Sequence, residues 1–269
     1  MEAARVETGG DIGFLGCGRM GRALLEGWLN AGLVRPERVT IAARDSAART
    51  AEALGVKTGT IFEVAARSDL LVLAVKPSQA SRLLASLRFE LGQLVVSVVA
   101  GMPRDRLPVS PARLVRTMPN VACRVGQGTT AVLVGPDDDP EDIDRVSRLF
   151  SAVGEVVRVS DEAMFHGVTA LSASGPAFLF AAMEALADGA VAAGLPRDLA
   201  RALVVHTFRG ATALAAVPGA VPSALKDEVA SPAGTTIRGL QVLEARAFRG
   251  ALLDAVVAAA ERSRELEKS

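Results

Sequence analysis

Around Lys226-Asp227 and the turn Ser231-Pro232-Ala233-Gly234-Thr235-Thr236-Ile237, hydroxyls and free backbone N–H groups crowd together just ahead of a helical pattern of Ile237, Leu240, Leu243 and Glu244. The first N–H groups of a helix lack intrahelical partners and carry partial positive charge. Hydroxyl donors from Ser231, Thr235 and Thr236 complete a cradle for a small anion such as a carboxylate. The plainer alternative is a Ser or Thr cap followed by a helix.

A second set of residues suits a different anion. Ile12-Gly13-Phe14-Leu15 reads as a buried strand and runs into Gly16-Cys17-Gly18-Arg19-Met20-Gly21. An amphipathic helix with Leu24, Leu25, Trp28 and Leu29 follows, closed by Asn30-Ala31-Gly32. Strand, G-x-G-x-x-G and helix in that order make the dinucleotide-binding fingerprint. Gly16 permits the tight turn, Gly18 lets a pyrophosphate approach the backbone, and Gly21 allows close helix–strand contact. In the next strand, Val39-Thr40-Ile41-Ala42-Ala43, the tip that usually carries an acidic residue for an NAD ribose carries Arg44, with Asp45, Ser46 and Arg49 after it. A guanidinium suits a 2′-phosphate, so the expected cofactor is NADPH, with NADH as the alternative that Asp45 leaves open.

Elements able to position these loops alternate as far as about Ser160. A helical patch at 61–67 precedes the apolar run 70–75; a helix over 79–87 precedes the run 94–99. Strand-like runs follow at 113–118 and 130–134, then a helix over 141–153 and a strand over 156–159. Near-continuous apolar strands predict a parallel sheet covered on both faces, and their alternation with helices predicts a doubly wound α/β domain. Ligands sit at the strand ends of such a sheet. There Ala74-Val75 passes into Lys76-Pro77, Val98-Val99 into Ala100-Gly101, and Thr117-Met118 into Pro119-Asn120. These small residues and prolines let a flat ring lie against the backbone, and Lys76 reaches a phosphate, a ribose or the substrate unless it is a plain surface lysine.

From about Asp161 the pattern is helical. Ser174-Gly175-Pro176 restarts a helix whose face Phe178, Ala181, Ala182, Ala185, Leu186 and Gly189 is rich in small residues, allowing close approach of another helix. Leu195-Pro196 opens a helix to about 216, a Pro/Gly-rich hinge spans 218–222 ahead of the cradle, and a last helix covers 251–267. The expected organisation is a Rossmann-type dinucleotide-binding domain over residues 1–160 and an all-α domain over 161–269.

Composition narrows the function. The chain has 269 residues, half of them apolar, enough for a sizeable core, and 30 basic side chains balance 30 acidic ones. Zero formal net charge argues against nucleic acid and against an anionic membrane surface. The weakly charged run 163–183 is long enough to suggest a membrane span, but Ser172, Ser174, Gly175 and Pro176 interrupt it and Glu184 and Asp188 follow. Residues 1–10 carry Glu2, Arg5 and Glu7 and lack the apolar core of a signal peptide. Cys17 and Cys123 form no C-x-x-C and fit a reducing cytoplasm, Cys17 as a small filler in its loop. His166 and His206 read as helix-face histidines, and without a Cys cluster no metal site is expected.

Three segments together resemble the pyrroline-5-carboxylate reductase family: Ala74-Val75-Lys76-Pro77, Ser172-Ala173-Ser174-Gly175-Pro176-Ala177, and above all Leu225-Lys226-Asp227 running into the cradle. Arg116-Thr117-Met118-Pro119-Asn120 and Val242-Leu243-Glu244 with Phe248-Arg249 look similar too. The resemblance implies NAD(P)H at the N-terminal domain, held by residues matching Leu15, Gly16, Cys17, Gly18, Arg19, Met20, Ala74, Val75, Lys76, Pro77, Val98, Val99 and Ala100, with Arg44 matched in role. It implies a substrate carboxylate held by Ser231, Gly234, Thr235 and Thr236, with the Thr236 hydroxyl near the ring nitrogen and Glu162 near the ligands. It also implies a helical domain that makes a homodimer, larger rings such as a decamer, and a substrate site completed between domains and across the dimer. The chain departs from the family pattern at Ala233, where Gly is usual, at Val221-Pro222-Ser223 for His-Pro-Gly, and at Phe178 for Tyr.

The chemistry this implies, NADPH-dependent reduction of (S)-1-pyrroline-5-carboxylate to L-proline, fits the residues. A cyclic imine protonates readily and its carbon accepts hydride without a strong enzymic acid, so positioning dominates. Thr236 would orient or protonate the nitrogen, or relay a proton through water. Three alternatives stand beside it. A β-hydroxyacid dehydrogenase wants a helical lysine, and none lies between Lys76 and Lys226. A reductase for another cyclic imino acid, such as a six-membered ring, would show its difference near Ala233, and a non-catalytic dinucleotide-binding protein would not need these intact motifs. Arg44→Ala is expected to lower the ratio of NADPH to NADH catalytic efficiency, read by steady-state kinetics with both cofactors; an unchanged ratio removes the assignment.

Overall fold

Side chains alternate across a strand, so a strand apolar at every position must be covered twice. The central strands do this. β1 (Ile12–Leu15), β4 (Leu70–Leu73) and β5 (Leu94–Ser97) are buried throughout. Ile12, Phe14, Leu70, Val72, Leu94 and Val96 enter one core layer, while Leu15, Leu71, Leu73 and Val95 enter the other.

The computed structural model describes residues 10–42 and 47–268. β1 leads through α1 (Arg19–Asn30) to β2 (Val39–Ala42), α2 (Ala47–Leu54), β3 (Lys57–Thr58) and α3 (Ile61–Arg67). The chain then returns to the other side of β1 as β4, and α4 (Pro77–Ala85) connects to β5. β6 (Arg113–Pro119), β7 (Gly128–Leu133), α5 (Pro140–Ser151) and β8 (Gly154–Val159) complete a sheet of order β3-β2-β1-β4-β5-β6-β7-β8. This is the expected doubly wound domain, with two differences. The two-residue β3 carries no periodicity to read, and β6 pairs with β7 antiparallel, Met118 facing Ala131. The link from Pro119 to Gly128 holds only a 3-10 turn at Val121–Val125, too short for the crossover a parallel pair needs.

Trp28 ties the first core layer together. It is fully buried, makes edge-on contacts with Phe14 and Phe150 at 5.8 Å each, and donates its indole N–H to the Leu149 carbonyl at 3.0 Å. α1 and α5 are thereby fixed on the same face.

Beyond β8 come a 3-10 turn at Glu162–Met164, the short α6 (Phe165–Val168) and a π-helical turn at Thr169–Ala173. Then follow α7 (Gly175–Ala192), α8 (Arg197–Ala215), α9 (Pro222–Val229), α10 (Thr235–Ala245) and α11 (Phe248–Lys268). α9 is an element that the sequence reading folds into the hinge and cradle. The chain forms two compact units: residues up to Ala173 together with those from Ala259 onward, and Ser174–Ala258. The element pattern changes near residue 160, but the compact unit extends further because Phe165 packs with Met118, Ala131, Leu133 and Val159. In the second unit only Ala187 and Ala200 are fully buried, whereas Phe180, Val242 and Leu253 are more than half exposed in the single chain. Among the described residues, Glu162–Ala192 is long and apolar enough to cross a membrane by length and composition, though the π-helical turn and a bend at Ser174 interrupt it.

Trp28→Ala removes the shared anchor of α1 and α5 and is expected to cost roughly 3–5 kcal/mol of stability, read by urea unfolding followed by circular dichroism. A loss under about 1 kcal/mol would mean the layer closes without it.

Candidate active site

Two sets of functional residues have distinct local origins. At the first, β1 runs into Gly16, whose φ of +88° belongs to the left-handed region and whose N–H donates to the Ala42 carbonyl at 2.7 Å. A Cβ at Gly16 would stand 2.8 Å from the Ala74 carbonyl oxygen. Gly18 caps α1 with no side-chain bond to the helix start, and a Cβ there would meet nothing within 4 Å. Gly21 lets α1 close on the next loop, since its Cβ would lie 3.0 Å from Ala74 Cβ. The result is an uncapped helix start behind open space, which fits a pyrophosphate. Burial pushes the Cys17 thiol up to about 11, partly offset by Arg22, so it is a protonated filler in this loop. Arg19 is exposed and Met20 half-buried.

Strand order reverses between β1 and β4, and loops from three neighbouring strands gather at their carboxyl ends. The Ala74 N–H donates to Leu15 at 2.9 Å, and the Val98 N–H to Leu73 at 3.1 Å. Ala74 and Val75 are half-buried and Val98 and Val99 buried, while Lys76 is exposed as the cap residue of α4, with Pro77 at its first position. Ala100 is half-buried, and Gly101 leaves the sheet at φ +63°. The fold thus brings residues 15–20, 74–77 and 98–100 to one edge. Arg44 lies outside the described residues.

Glu162 opens a 3-10 turn, and its carboxylate is committed to partners in the first unit. Oε1 accepts from Arg116 Nη1 at 2.5 Å and from the Arg104 N–H at 3.0 Å. Arg116 is almost wholly buried, with its guanidinium 4.5 Å from the centre of the Phe165 ring. Arg104 grips Asp138 through both Nη atoms at 2.7 and 2.8 Å. Burial alone would raise the Asp138 carboxyl, but Arg104 and the Gly135 N–H outweigh it and hold it below the usual carboxylate range. The signal for this network was an arginine inside an apolar strand; its partner, 46 residues away, was not readable from spacing.

The second set lies in the second unit. α9, with Lys226 Nζ bonded to Asp227 Oδ1 at 2.7 Å, ends at Val229, and Ser231–Gly234 turn back into α10. The Gly234 N–H donates to the Ser231 carbonyl at 3.1 Å. Gly234 caps the helix without a side-chain bond, so Thr235 and Thr236 stand at its first two positions with the helix start open. A Cβ at Gly234 would fall 2.3 Å from Ser231 Oγ, so glycine is what lets that hydroxyl close on the turn. Ala233 sits at φ +56°, which costs an L-residue about 1–2 kcal/mol and explains glycine as the easier choice. Ser231, Gly234, Thr235 and Thr236 are thus together around one uncapped helix start.

A doubly wound sheet with a phosphate-ready glycine turn, carrying a helical unit with open apolar faces, defines an NAD(P)-dependent oxidoreductase that self-associates. Residues 11–101 match the model described as NADP oxidoreductase, coenzyme F420-dependent, and residues 162–266 match pyrroline-5-carboxylate reductase dimerisation. The pyrroline-5-carboxylate reductases of Methanosarcina acetivorans and Arabidopsis thaliana are 42% and 41% identical, each over 96% of this chain and over 98% and 96% of their own lengths. The Plasmodium falciparum pyrroline carboxylate reductase, solved with NADP bound, superposes with TM-score 0.89 at 29% identity, covering 97% of this chain and 99% of that one. This chain belongs to the pyrroline-5-carboxylate reductase family.

Burial pushes the Cys123 thiol up to about 12, as it raises that of Cys17. Both are expected to resist iodoacetamide at about pH 8 in the native protein and to react fully once it is denatured, read by mass spectrometry. Rapid native labelling of Cys17 would show that the glycine turn opens.

Proposed function

We propose that this protein reduces (S)-1-pyrroline-5-carboxylate to L-proline with NADPH. The observation that carries the reading is the open start of α10, where Gly234 leaves the helix uncapped beside Ser231, Thr235 and Thr236. Helix-start N–H groups and hydroxyls suit a carboxylate, the group that this imino acid offers. Full-length similarity to curated reductases of that name supports the same substrate.

NADPH, when bound, supplies the hydride. Gly16, Gly18 and the start of α1 hold its pyrophosphate, residues 74–77 and 98–100 flank the rest, and Arg44, outside the described residues, meets the 2′-phosphate. Ser231, Thr235 and the Gly234 turn fix the substrate by its carboxylate. Thr236 would orient or protonate the ring nitrogen, or relay a proton to it through water, at the C=N bond that is reduced. Glu162 acts beside the ligands through its fixed pairing with Arg116. In this reading residues 1–160 bind the dinucleotide, and 161–269 dimerise and bind substrate. The dimers assemble into larger rings such as a decamer, and the enzyme works in the cytoplasm on a small molecule, away from nucleic acid and membrane.

Ser231→Ala is expected to raise KM for pyrroline-5-carboxylate roughly tenfold with the NADPH KM unchanged, and Thr236→Ala to lower kcat about tenfold or more. NADPH oxidation with the five-membered imino acid, measured beside its six-membered homologue, checks both. Unaltered constants in the two variants, or a preference for the larger ring, would refute the assignment.

A further inference from the structure

His166 takes no part in the chemistry above, yet it is buried and fully engaged. Its Nδ1 lies 3.0 Å from Ser263 Oγ and its Nε2 3.1 Å from Glu267 Oε2. The two ring nitrogens are thus both engaged, Nε2–H donating to the carboxylate and Nδ1 hydrogen-bonded to the hydroxyl. Both partners lie on the last turns of α11, where a helix frays by default. Arg106 adds a third tie, donating from Nη1 to the Glu267 carbonyl. The secured end of α11 covers the loop after β5. The position of a Cβ on Gly101 is 3.4 Å from Leu266 Cβ, 3.6 Å from the Ser263 carbonyl oxygen and 3.7 Å from the Glu267 nitrogen. On its other side, Ala100 packs into the cluster that contains Phe165, the residue before His166. Loop 98–101 is therefore gripped between α6 and the end of α11.

We propose that His166, Ser263 and Glu267 are positioning residues, a latch that sets loop 98–101 for the dinucleotide. The inference rests on the reading that this loop flanks NADPH. A released helix end would leave Gly101, already in a left-handed conformation, without its cover, and the loop would lose its single arrangement. Cofactor affinity depends on the latch, and the affinity of the carboxylate cradle does not.

Calorimetric titration of the full-length protein with NADPH, beside steady-state kinetics, tests this. Ser263→Ala and Glu267→Ala are expected to weaken NADPH binding roughly five- to tenfold and to raise its KM in step, with the imino acid KM unchanged. Glu267→Gln, whose amide oxygen still accepts from Nε2–H, should stay within about twofold of wild type. Unchanged NADPH affinity in both alanine variants overturns the latch, as does an imino acid KM that rises together with the NADPH KM. Failure of both variants to fold would make the cluster a stability element and overturn it equally. A wild-type chain that binds NADPH but leaves pyrroline-5-carboxylate unreduced refutes the proposed reaction, while the variant affinities still decide the latch.

Discussion

A strand that is buried on both faces must be followed by a connection that covers one of them. With β1, β4 and β5 buried at every turn of the pleat, the chain leaves β1 through α1 and β4 through α4, crossing the sheet as a helix and returning as a parallel strand. Every such crossing begins at a carboxyl end of a strand and at the amino end of a helix. The reversal of order between β1 and β4 then opens a crevice lined by helix starts and small-residue loops. That crevice is the geometric consequence of packing a parallel sheet, and Gly16, Gly18 and Gly21 keep side chains out of its turn, which suits the dinucleotide proposed for it.

The helical unit obeys the opposite constraint. Its helices carry apolar side chains on several faces, but within one chain only Ala187 and Ala200 are fully covered. A segment that cannot close a core by itself needs a second copy, in keeping with the dimerisation model that spans residues 162–266. Small residues on α7 suit that use because they let a neighbouring backbone come close. The apolar stretch Glu162–Ala192 runs into the same span that the dimerisation model matches.

Much of this was legible in the chain. The run Ile12-Gly13-Phe14-Leu15, the glycines after it and the helix closed at Gly32 have strong periodicity and punctuation, and the structure has them as read. The turn from Ser231 to Gly234 and the helix start after it were legible because their signal is local, within a few residues. What escaped depends on distance or brevity. β3 is too short to show a period, and the antiparallel β6–β7 pair follows from a link too short for a crossover, which no apolar pattern announces. α9 hid behind Pro222, which marks a helix start as readily as a hinge. Arg116 meets Glu162, and His166 meets Ser263, only after folding has joined segments 46 and 97 residues apart. Read alone, His166 passes for an ordinary helix-face side chain.

Trp28 has one more consequence. The chain contains no tyrosine and only this one tryptophan. Its near-ultraviolet emission therefore comes from one indole, fixed on the helix that starts at the glycine turn. Reduced nicotinamide absorbs where indole emits, so energy transfer from Trp28 turns the unlabelled protein into its own optical gauge of cofactor occupancy.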